Sequence, residues 1–383
     1  MLPADSLAEP SLREIAREWG RIGCIGFGGP PAHVALCVTR REWLTDDQFE
    51  RAIAATNILP GPASTQLAIY CAWRLRGPRG AIIGGLGFIL PGLVMILALS
   101  VLFLAGSPPA WIRGAGMGAG AAVAPVAVSA GLGVALPIWR RTADARRPRI
   151  LLYALAAALA AATTGPWLVL VLLGCGAIEL MRERRLAVGG VGFHAWPLLA
   201  TIAEPGGTAA LVWTSLKVGA LAFGGGFVIV PLMQSDAVGT YHWMTHGQFL
   251  NAVALGQVTP GPLTQTVAVV GYAAGGFPSA LLAAFVAFLP SFSFILFGAA
   301  RFERLLVNER VTAFLAGAAP AAAGAIIGSA IPLAGALSET WQYVVLAAAA
   351  IALLVLRRSI VLTLLVAGTA GAVAGLLGAP ISR

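Results

Sequence analysis

Lysine is all but missing from this 383-residue chain, with Lys217 the single example. Acidic residues are also few, 16 Asp and Glu against 25 Lys and Arg, and charged residues make up 11% of a sequence that is 58% hydrophobic. So little charge cannot cover a soluble globular protein of this length, and a mean hydropathy of +0.85 places the chain in a bilayer. The four cysteines, Cys24, Cys37, Cys71 and Cys175, have no CxxC spacing and read as reduced and inert. His33, His194, His242 and His246 lack metal-ligand spacing, so neither a metal nor a catalytic centre is expected; a proton-linked role stays open for His33. No nucleotide-binding glycine loop occurs, which argues against direct drive by ATP, and no cofactor is expected. The first 20 residues are charged and polar, so no cleaved leader is expected. The net charge of +9 sits in short arginine clusters beside apolar spans, a pattern that sets topology and does not point to nucleic acid.

What the sequence has in abundance is uncharged length. Gly80 to Ile112, Gly114 to Trp139, Ile150 to Ile178, Ala237 to Ala300, Val311 to Ser338 and Ser359 to Ser382 carry no Asp, Glu, Lys or Arg. Each exceeds the about 20 helical residues that cross a hydrocarbon core. They are solidly apolar, without the alternation of a membrane barrel strand, so the fold class is all-α, a polytopic integral membrane protein. Thr163-Thr164-Gly165-Pro166 reads as a hairpin turn. Leu12 to Trp19 alternates charged and apolar residues at helical spacing, which suits a helix lying on the membrane surface. Span length predicts ten to fourteen helical segments, roughly, and whether 187–203 crosses the membrane is left open.

The chain also repeats itself. Phe27-Gly28-Gly29 matches Phe223-Gly224-Gly225, Trp43-Leu44-Thr45 with Phe49 matches Trp243-Met244-Thr245 with Phe249, and Pro60-Gly61-Pro62 matches Pro260-Gly261-Pro262. Leu90-Pro91 against Leu289-Pro290 and Gly118 against Gly317 continue the series at an offset of about 200 residues, the mark of duplication. Two repeats are predicted, 12–185 and 207–380, joined by a linker over 186–206. Arginines in half one cluster at Arg74, Arg76 and Arg79, at 140–149 and at 182–185; half two carries Arg301, Arg304, Arg310 and Arg357-Arg358 at the complementary loops. Complementary basic loops predict that the halves have inverted topology.

Each half offers the same devices in the same order. Lys217 precedes Phe223 and Arg21 precedes Phe27; a cation inside a membrane helix costs about 2.5 to 3.5 kcal/mol on insertion scales, so it has a task, such as binding an anion, or a partner, for which Glu18 and Asp236 are the candidates. The Phe-Gly-Gly breaks, with Gly28, Gly29, Gly224, Gly225 and Gly226, and the Pro-Gly-Pro breaks, with Pro60, Gly61, Pro62, Pro260, Gly261 and Pro262, interrupt helices because proline lacks an N–H and glycine tolerates unusual angles. At membrane depth such breaks survive only where protein or water satisfies the backbone, and a new helix N-terminus suits an oxyanion. Ser64, Thr65 and Gln66, with Thr264, Gln265 and Thr266, follow the Pro-Gly-Pro breaks and could donate further hydrogen bonds. The bland alternative for all of these is packing kinks and loop punctuation. A membrane-embedded enzyme is a remote alternative, since half two has almost no acidic residue between Asp236 and Glu303.

FGGPPAHVAL, WLTDDQF, LPGPASTQLAIY, RLRG and GFILPG in half one, with FGGGFVIVPLMQ, TPGPLTQTVAVVGY and FLPSF in half two, resemble the two-domain form of the chromate ion transporter family over nearly the whole chain. Pro30-Pro31 departs from the family's pattern, standing where a third glycine would follow Gly29. The resemblance implies a secondary transporter in a bacterial inner membrane that exports chromate by alternating access, drawing on the proton motive force and giving chromate resistance. Sulfate or another oxyanion is the alternative substrate. Its partners would be the oxyanion and the lipid bilayer, with homo-oligomer formation left open.

Overall fold

The computed structural model describes residues 10–26, 37, 41, 43–59, 61–104, 108–163, 168–182, 207–222, 227–302 and 308–381. These residues form fifteen α-helices and no strand, above the ten to fourteen segments expected from span length, because breaks and caps divide several spans into short pieces. The turn at Thr164 to Pro166, the uncharged loop around Gly106, and 187–203 lie outside the described residues.

α1 (Leu12–Ile25) starts at a capping box in which Ser11 and Glu14 satisfy each other's backbone N–H. Its apolar stripe does not lie on lipid as its charge alternation suggests. Ile15, Trp19 and Ile22 are buried against protein, and the Trp19 indole N–H donates to the Ala68 carbonyl at 2.9 Å. The next helix, α2 (Asp46–Ile58), begins at Thr45 and Gln48, and its counterpart α10 (His246–Val258) begins at Thr245 and Gln248, each with the same reciprocal capping box. Both are 13 residues long, about 20 Å, and neither alone crosses a core of about 30 Å.

The duplication is plainest in α3 (Ala63–Phe103) and α11 (Thr266–Gly298). Each is a helical hairpin. The chain leaves helical geometry at Arg76 and Gly77, where Gly77 has φ 58°, and at Gly275 and Gly276, where Gly276 has φ 73°. Only glycine holds these left-handed angles without strain. Pro78 and Pro278 then open the second arms, where the missing N–H costs nothing. The fold-back is direct: Gly84 lies on Ala72, Gly85 on Ile69, and Gly271 on Ala280 and Ala283. Pro91 and Pro290 sit within the second arms.

Half one continues through α4 (Ala110–Ala121), α5 (Val123–Arg141), α6 (Arg147–Thr163) and α7 (Leu168–Arg182). Half two opens with α8 (Thr208–Leu221) and α9 (Ile229–Gln234) before α10. After α11 come α12 (Glu309–Gly328), α13 (Ala330–Gly335), α14 (Thr340–Ala350) and α15 (Ile360–Leu376).

The halves exchange partners. α4 of half one packs against α15 of half two, with Gly114 and Gly118 set against Gly371. α12 packs against α6 and α7, with Gly317 on Cys175, Gly324 on Ala154 and Gly328 on Ala158. A Cβ at any of these glycines would strike a backbone carbonyl, so small residues spaced by four set the helix separation, as membrane packing favours. Gly131 meets Ala323 and Ile327, while Ile138 and Pro320 flank one cavity, so α5 and α12 run antiparallel. Leu152, Leu159, Phe285, Val366 and Leu376 are exposed on the outside, the dressing of a surface that faces lipid.

Candidate functional site

The two Pro-Gly-Pro breaks are built alike. Gly61 has φ 126° and Gly261 φ 98°, angles that a side chain would strain. Pro62 and Pro262 are extended and precede helical turns, and each accepts through its carbonyl a 3.0 Å bond, from the N–H of Gln66 and of Gln265 respectively. Gln66 and Gln265 are therefore structural equivalents, and the second half is one residue shorter after its break. Thr65 and Thr264 become equivalents by the same shift. All four side chains are fully buried.

The breaks then cross between halves. The side-chain amide of Gln265 donates to the Ile89 carbonyl at 2.9 Å, and Gly92, three residues on, has no room for a Cβ between Pro260 and Gln265. The N–H of Gly261 donates to the carbonyl of Gly26, at the end of α1, at 3.1 Å. Reciprocally, a Cβ on Gly61 would lie 3.2 Å from the Gly219 carbonyl and 3.3 Å from the Ser291 hydroxyl, both in half two. Gly92 and Ser291 follow the matched Leu-Pro pairs. Each break is thus completed by the first helix and second hairpin arm of the other half.

Polar atoms collect at the crossing. Thr65 Oγ1, Thr264 Oγ1, Gln265 Oε1 and Ser291 Oγ are buried and have no hydrogen-bond partner among the described residues. Buried polar groups are nearly always paired, so such a cluster is expected where something else binds. The first amides of the α3 helix, beginning at Ala63, have no intrahelical acceptor and present a partial positive charge.

Comparison with known proteins accounts for this duplicated architecture. The profile described as Chromate transporter matches residues 13–180 and again 209–375. The chain belongs to the chromate transporter family. Within that family it is 31% identical over 395 residues to the chromate transport protein of Cupriavidus metallidurans, covering 97% of this chain and 94% of that one. It is 31% identical over 346 residues to the chromate transport protein of Pseudomonas aeruginosa, covering 83% of this chain and 80% of the other. A probable chromate transport protein of Synechococcus elongatus is 29% identical over 342 residues, covering 84% of each. No solved structure matches the chain. This transporter of the chromate family is therefore a multi-pass membrane protein made of two copies of one helical unit, and its relatives carry solutes and do not catalyse reactions.

Within the transporter, Gly61, Thr65, Gln66, Gly261, Thr264 and Gln265 gather at the crossing, with Pro62, Pro260 and Pro262 buried beside them. Ser64 is only partly buried, and the Thr266 hydroxyl donates to its own turn at Leu263, 2.7 Å away. Gly28, Gly29, Gly224, Gly225, Gly226, Pro60 and the histidines His33 and His194 lie outside the described residues. Gly92 and Ser291 were not singled out by sequence, although GFILPG and FLPSF hold them at matched places.

The two cations face elsewhere. Lys217 Nζ lies 2.6 Å from Asp236 Oδ2, which also accepts from the Thr214 hydroxyl at 2.8 Å, and it sits 5.9 Å from the centre of the Trp213 ring. Two residues along a helix is a rotation of about 200°, so with Gly219 against the break Lys217 points away from it. Arg21 stands two residues before Gly23, which packs on Gly87 and Phe88, and it is exposed. Half one carries the reverse polarity: the buried Glu18, on α1, pairs with Arg41.

Proposed function

We propose that this chain exports chromate, or a tetrahedral oxyanion dianion like it, from a bacterial cell across the inner membrane, and so confers chromate resistance. The observation that carries the reading is the reciprocal crossing of two Pro-Gly-Pro breaks around the buried hydroxyls of Thr65, Thr264 and Ser291, which have no partner among the described residues and can donate to an anion. Helix starts and neutral donors suit a dianion at membrane depth. The proposed ligands are Thr65, Gln66, Thr264 and Gln265, with the neighbouring backbone of Gly61 and Gly261. Ser291 joins them and Ser64 and Thr266 border them; the Phe-Gly-Gly glycines, which lie outside the described residues, are proposed for the same set on their sequence alone. Arg21 and Lys217 stand outside the proposed ligand set, since Lys217 is paired with Asp236 and Arg21 is exposed on α1. Relatives named as chromate transport proteins in three bacteria supply the substrate.

Inverted repeats joined through 186–206 provide the route. The antiparallel α5 and α12 and the complementary arginine loops support that arrangement, in which one half rocks against the other and opens the crossing first inward, then outward. A membrane potential negative inside favours expulsion of a dianion by about 4.6 kcal/mol per 100 mV, more than about a thousandfold in gradient, so export can run on the proton motive force. Sulfate is the second reading, because hydroxyls and amides do not by themselves separate tetrahedral dianions of equal charge.

The test is flux of labelled chromate into inverted membrane vesicles. ATP-independent uptake that an uncoupler abolishes, and that sulfate inhibits only weakly, is expected. Equal inhibition by sulfate would reassign the substrate, and absence of chromate flux would end the proposal.

A further inference from the structure

Away from the crossing, two cavities adjoin on the flank of the bundle where α5, α6 and α12 meet. One, of about 350 Å³, is almost entirely apolar and lined by Leu136, Trp139, Leu151, Leu155 and Ile327 among others. The second, of about 440 Å³, is lined by Arg141, Arg146 and Arg149 with Thr142 and Glu179. Ile138, Ile150 and Pro320 border both, so an apolar cavity and a basic one lie side by side along the same helices.

The geometry points to a seat for one anionic phospholipid, its phosphate among the arginines and an acyl chain in the apolar groove. Charge complementarity argues for the headgroup: among the described residues, three guanidiniums line the basic end against a single carboxylate. That carboxylate, Glu179, is already engaged by Arg149 at 3.3 Å and by the Tyr153 hydroxyl at 2.9 Å. Asp144 pairs with Arg147, whose guanidinium lies 5.2 Å from the centre of the Trp139 ring. Trp139 lines the apolar cavity one residue from Ile138, which borders both, and a tryptophan is commonly found at a membrane interface. The apolar groove argues for the chain. From Ile150 to Ala158 it follows α6 for about 12 Å, the depth of the upper part of an acyl tail. Leu151 and Leu155, 48% and 57% exposed, leave it open to the side from which a tail would enter. A free oxyanion would use the basic end alone and leave the groove without purpose. Seated there, the lipid would brace α12 of the second half against α5 and α6 of the first, an interface made otherwise of glycine contacts at Gly131, Gly324 and Gly328.

Full-length protein reconstituted in phosphatidylcholine nanodiscs, doped with phosphatidylglycerol or phosphatidylcholine carrying brominated acyl chains, tests the seat. The signal is the fluorescence quenching lost in Trp139→Phe. Phosphatidylglycerol should half-quench that component at a mole fraction at least about fivefold below phosphatidylcholine, one arginine's worth of surface attraction. Arg141→Gln with Arg146→Gln should erase the preference, and Leu155→Asn should weaken quenching by both lipids. Equal quenching by the two lipids in the wild type would overturn the proposal whatever the variants do. A preference that survives the arginine replacements, or that millimolar inorganic phosphate abolishes, would overturn it too, the latter by assigning the basic end to a soluble anion.

Discussion

The side-chain amide of Gln265 donates to the backbone carbonyl of Ile89, 176 positions earlier in the chain and in the other half of the molecule. That bond ties the start of one repeat's hairpin to the second arm of the other's. It places the Gln265 side chain, and with it the neighbouring Thr264, at the boundary between the two halves, where the proposed alternating access would act. Gln265→Leu removes the donor and leaves the Ile89 carbonyl buried with one partner fewer. The expected result is a loss of about 1 to 3 kcal/mol of stability, read as a lower melting temperature in detergent, together with loss of chromate flux.

Thr65→Val and Thr264→Val separate site from scaffold. Their hydroxyls have no partner among the described residues, so replacing each with a methyl of nearly the same shape should leave stability unchanged or raise it. Transport should nevertheless fall at least about tenfold in the double variant, which corresponds to about 1.4 kcal/mol. Unaltered flux would remove both hydroxyls from the proposed ligand set.

Gly92→Ala tests the close approach of the halves. The new methyl would run into the Pro260 carbonyl, and overpacking of this kind costs about 1 to 3 kcal/mol. Gly133→Ala, where a methyl meets nothing within 4 Å, is the matched control. The first should lower both melting temperature and flux, the second neither.

Lys217 and Asp236 form a pair whose side chains are 21% and 9% exposed. Lys217→Gln alone strands the carboxylate, and Asp236→Asn alone strands the ammonium, each at about 3 to 5 kcal/mol. The double variant should recover most of that stability. If Lys217 also draws anions toward the crossing, the double variant stays defective in flux although it folds; recovery of full flux would make the lysine purely structural.

Loop accessibility tests the orientation of the repeats. Single cysteines replacing Arg76, Arg141 and Arg310, in a background with the native cysteines removed, should all react with an impermeant thiol reagent from the cytoplasmic face. Tyr70 and Phe302 pack at a tilt with ring centres 5.4 Å apart, which brings the first arm of α3 and the chain just past the end of α11 together across the halves. Opposite labelling of Arg141 and Arg310 would break the inverted arrangement.

The duplicated devices were legible in the chain because each is a local backbone requirement. A residue that must take a left-handed angle, as Gly61 and Gly261 do, or a helix start that needs a threonine and a glutamine, as at Thr45 and Thr245, can be read without knowing what lies beside it. The partnership of Lys217 with Asp236 was legible only as one of two outcomes, since sequence spacing does not say which way a side chain turns. Gly92 and Ser291 were invisible as site residues because their neighbours come from the other half.

The sequence by itself determined the solvent and the period. Scarcity of charge consigns these helices to lipid, and glycine and proline place the breaks, since both effects act over a few residues. Only the tertiary structure decided that α3 and α11 fold back as hairpins, that the halves interlock through paired glycines, and that each break is closed by its counterpart's helices. Those outcomes depend on contact between segments far apart in the chain, where the close fit of backbone on backbone, which no single residue encodes, selects one arrangement.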